Sequence, residues 1–188
     1  IHPRDRTVRV LFGDGAAATL VSGDRPGPAV GRLVLGTDGN GAPHLIVPAG
    51  GMRLPVGPET GIPREDAGGS VRSLNNLYMN GAEVFSFALR RVPEAVDVLL
   101  RREGLSVAEV DAFVFHQANR FMLEQLCRKM GIPPEKAPLF LSGCGNTVSA
   151  SIPMVLREHW HRFRTGQKVV LVGFGVGYSW GAALVEWA

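Results

Sequence analysis

The sequence predicts an α/β fold, a layered domain in which helices cover both faces of a mixed sheet. Three observations carry this expectation. From Asn80 onward, short apolar runs alternate with segments of helical period. One run, VVLVGF at 169–174, is continuously apolar, as a strand is when both of its faces are covered. With 45% hydrophobic and 20% charged residues in 188, the chain can bury one sizeable core or a tightly joined pair of layers.

The elements follow in order. TVRVLF and GDGAAATLVS predict two strands joined by a tight turn at Asp14-Gly15, because Gly tolerates positive φ. AVGRLVLGTDG predicts a third strand. Residues 36–75 are rich in Gly, Pro and charge and predict an irregular surface excursion. Val84, Ala88, Val92, Val96 and Leu99 then recur at helical spacing. Pro93 is expected to kink or divide that helix, and Gly104 to stop it. Ser106 and Glu109 form a capping-box pattern. DAFVFH predicts a buried strand that delivers His116 at its end. A helix is expected over 119–130, with Met122, Leu123, Leu126, Cys127 and Met130 on its apolar face and Gly131 at its end. LFLSGCGNT predicts a short strand and loop ending at Asn146. Residues 149–164 predict another helix, followed by a turn at Thr165-Gly166. After VVLVGF, a glycine bend leads into a last strand, YSWGAALVEW.

The 24 Gly and 13 Pro are spread along the chain, which argues against a low-complexity tract. A net charge of +3 is compatible with an acidic partner. There is no basic stripe interleaved with aromatics, so nucleic acid is not expected. The apolar runs are too short to span a membrane, and no signal peptide is visible. Two Cys do not make a disulfide framework, so Cys127 and Cys144 are expected as free thiols in the cytosol. No metal is expected. The chain opens IHPRDRTVRV, without Met, which predicts a longer chain upstream.

His116 and Asn146 each sit at the end of an apolar run, the usual address of catalytic groups in α/β sheets. An imidazole offers one N–H donor when neutral and a carboxamide offers two. Together they could hold an oxygen that gains negative charge. Taken singly, His116 reads as a satisfied strand-end histidine and Asn146 as a turn former, and it is their matched placement that points to a shared site. GFGVG at 173–177 lies between two strands with no helix after it, so it is not a nucleotide fingerprint. It reads either as a plain turn or as a bend whose backbone N–H groups face a cavity. Cys144 has no activating neighbour in sequence and is not read as a nucleophile.

HQANR, GNTVSASIP and GFGVGYSWGAALV, in this order and spacing, resemble the C-terminal half of the β-ketoacyl-acyl carrier protein synthase III family. FGDGAAATLV and MNGAEVFSFAL resemble it too. The resemblance implies a thiolase-like fold of two similar α/β halves in five alternating layers, usually a homodimer. It implies a division at 1–75, closing the N-terminal half and the irregular connection, and 76–188, the C-terminal domain. It implies that an acyl-CoA is condensed with malonyl-acyl carrier protein in fatty acid biosynthesis, with no permanently bound cofactor, CoA and phosphopantetheine thioesters being substrates. His116 and Asn146 take the roles of enolate-stabilising residues. Neutral donors suffice for that role, and a protonated imidazole is not required. Gln117, Ala118, Asn119, Arg120 and Phe121 match the carrier-protein docking segment, although the family's basic residue usually stands where this chain has Phe121. The resemblance also implies that Val176, where the family usually has Gly, supplies the oxyanion backbone N–H. It implies that Met79, Gly81, Phe85 and Phe174 line the substrate channel. The nucleophilic Cys is expected outside this chain, on its own N-terminal half. Relatives in polyketide, quinolone or olefin pathways, or a non-catalytic partner subunit, are the alternatives.

Overall fold

A computed structural model describes residues 1–23 and 29–187. The strands are β1 (Ala29–Thr37), β2 (Leu45–Ile46), β3 (Arg64–Glu65), β4 (Val71–Arg72), β5 (Tyr78–Met79), β6 (Ala112–Phe115), β7 (Lys168–Gly175) and β8 (Ser179–Glu186). The α-helices are α1 (Gly81–Glu103), α2 (Arg120–Met130) and α3 (Ser151–Glu158). A four-stranded mixed sheet runs β1-β8-β7-β6, with β6 parallel to β7 and the other two pairings antiparallel. One face of it packs Phe113, Phe115, Val170, Val172 and Leu184 against α1 and α2. The other packs Val114, Val169 and Val185 against Val155 of α3. Helices therefore flank both faces, as the alternating pattern requires.

All four residues of β6 are buried, and β7 buries Val169, Val170 and Val172 completely or nearly so. That is why these runs carry no polar alternation. Asn80 caps α1 by accepting from Glu83 N, and Gly104 ends it in the left-handed conformation (φ 65°). The capping box of Ser106 and Glu109 is formed. Asn119 caps α2, and Gly131 (φ 66°) closes it.

Several elements depart from the sequence expectation, each for a local reason. TVRVLF and GDGAAATLVS form no hairpin. The Asp5 carboxylate accepts from Thr7 N and Val8 N at 2.9 and 3.0 Å, which curls residues 6–11 into turns instead of a strand. Only Phe12 makes a bridge, to Asn146. Pro93 does not divide α1, whose apolar stripe stays packed on the sheet from Val84 to Leu100. LFL forms no strand, because Phe140 N donates to the Gln117 side chain at 2.9 Å rather than to a neighbouring strand. The helix expected over 149–164 is regular only over α3, with short 3-10 turns on either side. The sheet itself draws on both sides of residue 75, with β1 pairing β8 across seven residue pairs.

One cross-strand pair fixes the β1–β8 register tightly. Gly36 stands opposite Trp180, and a Cβ on Gly36 would fall inside the indole ring. The indole is held from its other sides by Phe87 and by Arg91 stacked 5.3 Å from its centre. Gly36→Ala is expected to destabilise the full-length protein by about 1–3 kcal/mol through overpacking. A denaturant midpoint unchanged from wild type would contradict this packing.

Candidate active site

His116 leaves the C-terminal end of β6, where its backbone N still donates to Val172 O at 2.7 Å. The parallel ladder thus carries the backbone up to the imidazole. Its Nδ1 lies 2.8 Å from Ser151 Oγ and 3.1 Å from Val148 O. The ring stands edge-on to Phe174, 5.3 Å between centres. Burial pushes the imidazole below its ordinary pKa, and the contact with the Val148 carbonyl offsets this in part.

Asn146 is set by a different device. Its backbone N donates to Leu11 O at 2.9 Å, and its carbonyl accepts from Gly13 N at 3.0 Å. This interlock needs glycine on both sides. A Cβ on Gly13 would sit inside the Cys144 carbonyl, and Gly145 adopts φ 63° with Leu11 O beside it. The Asn146 side chain is 6% exposed, and its Oδ1 accepts from Val148 N at 2.9 Å. That bond assigns the amide orientation and turns Nδ2 away as the remaining donor.

His116 and Asn146 line one open, largely apolar cavity of about 870 Å³. Met79, Gly81, Phe85, Ala118, Asn119, Phe174 and Val176 line it as well. The sequence reading therefore brings its catalytic pair and its channel residues to one space. Leu33 and Leu35 of β1 form a further part of the wall and are 52% and 75% exposed. The Val176 residue lies in the turn after β7 and is itself exposed.

The docking segment divides. Gln117 is 1% exposed, its Nε2 donating to Phe115 O at 2.8 Å and its Oε1 accepting from Phe140 N. Its side chain is an internal bracket behind the segment's exposed residues. Asn119 Oδ1 is spent on capping α2, accepting from Met122 N at 2.8 Å. Arg120 and Phe121 are exposed, and Phe121 stacks on Phe85 at 5.6 Å. Cys144 is partly buried and its thiol donates to Phe140 O, while burial pushes the Cys127 thiol up.

Sequence reasoning missed Val148 and Ser151, which hold the pair in place. Val148 takes a left-handed conformation (φ 54°), rare for a β-branched residue, and nothing in its neighbours announces it. Ser151 reads in sequence as an ordinary helix-start serine.

Comparison with known proteins agrees with this architecture. Residues 100–187 match the model of the 3-oxoacyl-[acyl-carrier-protein] synthase III C terminal, and residues 1–39 match that of 3-oxoacyl-[acyl-carrier-protein] synthase III. A beta-ketoacyl-[acyl-carrier-protein] synthase III of Symbiobacterium thermophilum is 41% identical over all of this chain and 54% of its own length. One from Deinococcus radiodurans is 38% identical, with 52% of its length covered. A crystal structure of a 3-oxoacyl-(acyl-carrier-protein) synthase III superposes with a TM-score of 0.90 at 46% identity, covering all of this chain and 56% of the other. The Thermus thermophilus synthase III gives 0.80 at 37% identity, covering 98% of this chain and 54% of the other.

The mixed sheet and its flanking helices are those of the thiolase-like α/β class. Within that class, the chain belongs to the 3-oxoacyl-[acyl-carrier-protein] synthase III family. It spans about half the length of the curated relatives it matches.

Proposed function

We propose that this chain is the malonyl-binding part of a β-ketoacyl-acyl carrier protein synthase III. The whole enzyme transfers an acyl group from acyl-CoA to a Cys on its N-terminal half. It then condenses that group with malonyl-acyl carrier protein, losing CO₂, as in fatty acid biosynthesis. The observation that supports this reading is a shared orientation. His116 Nδ1 and Asn146 Oδ1 are both engaged by the protein, which leaves Nε2 and Nδ2 for the cavity. Decarboxylation places negative charge on the thioester oxygen, and groups preorganised in a water-poor site stabilise that charge.

The other residues follow. The backbone N–H of Val176 binds the acyl carbonyl oxygen. Met79, Gly81, Phe85 and Phe174 wall the channel for the acyl and pantetheine chains. Arg120 meets the acidic carrier protein or its phosphate, with Phe121 beside it. The exposed leucines of β1 in the cavity wall are covered by the enzyme's N-terminal half. Acyl-CoA and phosphopantetheine thioesters are substrates, and no cofactor is held. The enzyme is a cytoplasmic homodimer in this reading.

The test is a product assay. The full-length protein, given acyl-CoA and malonyl-acyl carrier protein, is expected to release CO₂ and 3-oxoacyl-carrier protein in equal amounts. A folded protein that releases neither contradicts the proposal.

A further inference from the structure

Three atoms behind His116 stand within hydrogen-bond distance of one another. Ser151 Oγ lies 2.7 Å from Val148 O and 2.8 Å from His116 Nδ1, and Nδ1 lies 3.1 Å from the same carbonyl. Ser151 is 2% exposed, and its Oγ also accepts from Gln117 N at 3.2 Å. Counting hydrogens decides how the triangle is filled. The carbonyl has none and the hydroxyl has one. If the hydroxyl donates to Nδ1, Val148 O faces lone pairs on both neighbours, at 2.7 and 3.1 Å. If the hydroxyl donates to Val148 O, Nδ1 must carry a hydrogen of its own, and all three contacts are then satisfied.

The same residue serves Asn146, because Val148 N donates to Asn146 Oδ1 at 2.9 Å. A single left-handed residue (φ 54°) therefore offers its N–H to one side chain and its C=O to the other. A β-branched residue enters that region at a cost, which such sites bear where geometry is over-determined.

We propose that Val148 and Ser151 are positioning residues that hold His116 with its hydrogen on Nδ1 and Asn146 with Nδ2 toward the cavity. Nε2 of the neutral ring is then a proton acceptor. The protonated ring, with hydrogen on both nitrogens, fits the same clamp, whereas the neutral Nε2–H form does not. The two site residues are thus unequal. Asn146 is a donor at all times, and His116 becomes one only on protonation. The neutral-donor role expected for His116 from residue type alone is replaced by this. The inference deepens the synthase reading and rests on it for its catalytic meaning, while the hydrogen placement stands on the geometry alone.

The experiment reads the ring directly, without substrate. Full-length protein labelled with ¹⁵N in its histidine rings is examined by long-range ¹H–¹⁵N NMR at a pH where the ring is neutral, with His116→Gln identifying the His116 signals. The expected pattern is that of a ring protonated at Nδ1. A pattern of protonation at Nε2 overturns the inference, whatever the condensation assay shows. In Ser151→Ala the Val148 carbonyl, which can only accept, still faces Nδ1 at 3.1 Å, so the Nδ1–H pattern is expected to persist while that hydrogen, with one acceptor left instead of two, exchanges faster with solvent. Unchanged exchange of that hydrogen overturns the role given to Ser151, and a switch to an Nε2–H pattern overturns the role given to Val148. A failed condensation assay with an Nδ1–H ring overturns the synthase reading and leaves this inference standing.

Discussion

Replacing Asn146 by Ala in the full-length protein is expected to slow malonyl decarboxylation by roughly 10²–10³-fold, the loss typical of one oxyanion donor. The carboxamide has no slack to share. Its oxygen is tied to Val148 N, and its backbone is pinned between Leu11 and Gly13, so Nδ2 points in one direction only. Ala keeps the backbone interlock, which involves main-chain atoms alone, so the fold should survive. In the proposed reaction, acylation of the nucleophilic Cys develops its charge on a different oxygen, the one assigned there to the Val176 backbone N–H. That half-reaction should fall much less. His116→Ala is expected to lower decarboxylation to a similar degree. Measuring CO₂ release and covalent acylation separately checks the claim. Equal loss of both half-reactions in Asn146→Ala would contradict it.

The second large effect is on stability. Asp5→Ala is expected to destabilise the full-length protein by about 1–3 kcal/mol, as removing the acceptor of buried donors does. The Asp5 carboxylate is fully buried and Arg72 nearly so, with Arg72 Nε donating to Asp5 Oδ2 at 2.9 Å. The other oxygen accepts from Thr7 N, Thr7 Oγ1 and Val8 N. Ala would leave those donors without their acceptor and the guanidinium with Asp66, 3.0 Å from its Nη1, and Thr7 Oγ1 as its remaining partners. The effect reaches the site, because residues 5–13 run from this ion pair to the Phe12–Asn146 bridge. Burial by itself would raise the Asp5 carboxyl. The hydrogen bonds from Arg72, Val8 and Thr7 outweigh it and hold the group well below the usual carboxylate range. The sign follows from that direction. The contribution is fully present above the unfolded pKa near 3.9, and it is lost as pH falls below that value. Denaturant unfolding of wild type and Asp5→Ala checks both parts. A difference under about 1 kcal/mol at neutral pH would contradict the first.

Much of the fold was legible because its signals are local. The caps at Asn80, Asn119, Gly104 and Gly131 are set by residues within a few positions. The buried strands β6 and β7 announce themselves by unbroken apolar runs. The failures share a cause. At TVRVLF the pattern is strand-like, but a carboxylate two residues upstream captures the backbone donors. At LFL the deciding partner is Gln117, more than twenty residues away. The site divides in the same way. His116 and Asn146 could be named from their placement at the ends of apolar runs. Val148 could not, since its role lies in a dihedral angle and not in its side chain. Gln117 joins the docking segment only through the resemblance of QANRF, and its burial by three internal hydrogen bonds depends on partners at Phe140 and Ser151 that the local sequence does not announce.

The most direct test is a crystal structure of the full-length protein with an unreactive malonyl-thioester analogue bound. The prediction is that the thioester carbonyl oxygen lies within about 3.2 Å of Asn146 Nδ2 and, with the His116 ring protonated, of His116 Nε2 as well. An oxygen held by only one of them, with the other opening onto a separate pocket, would contradict the account.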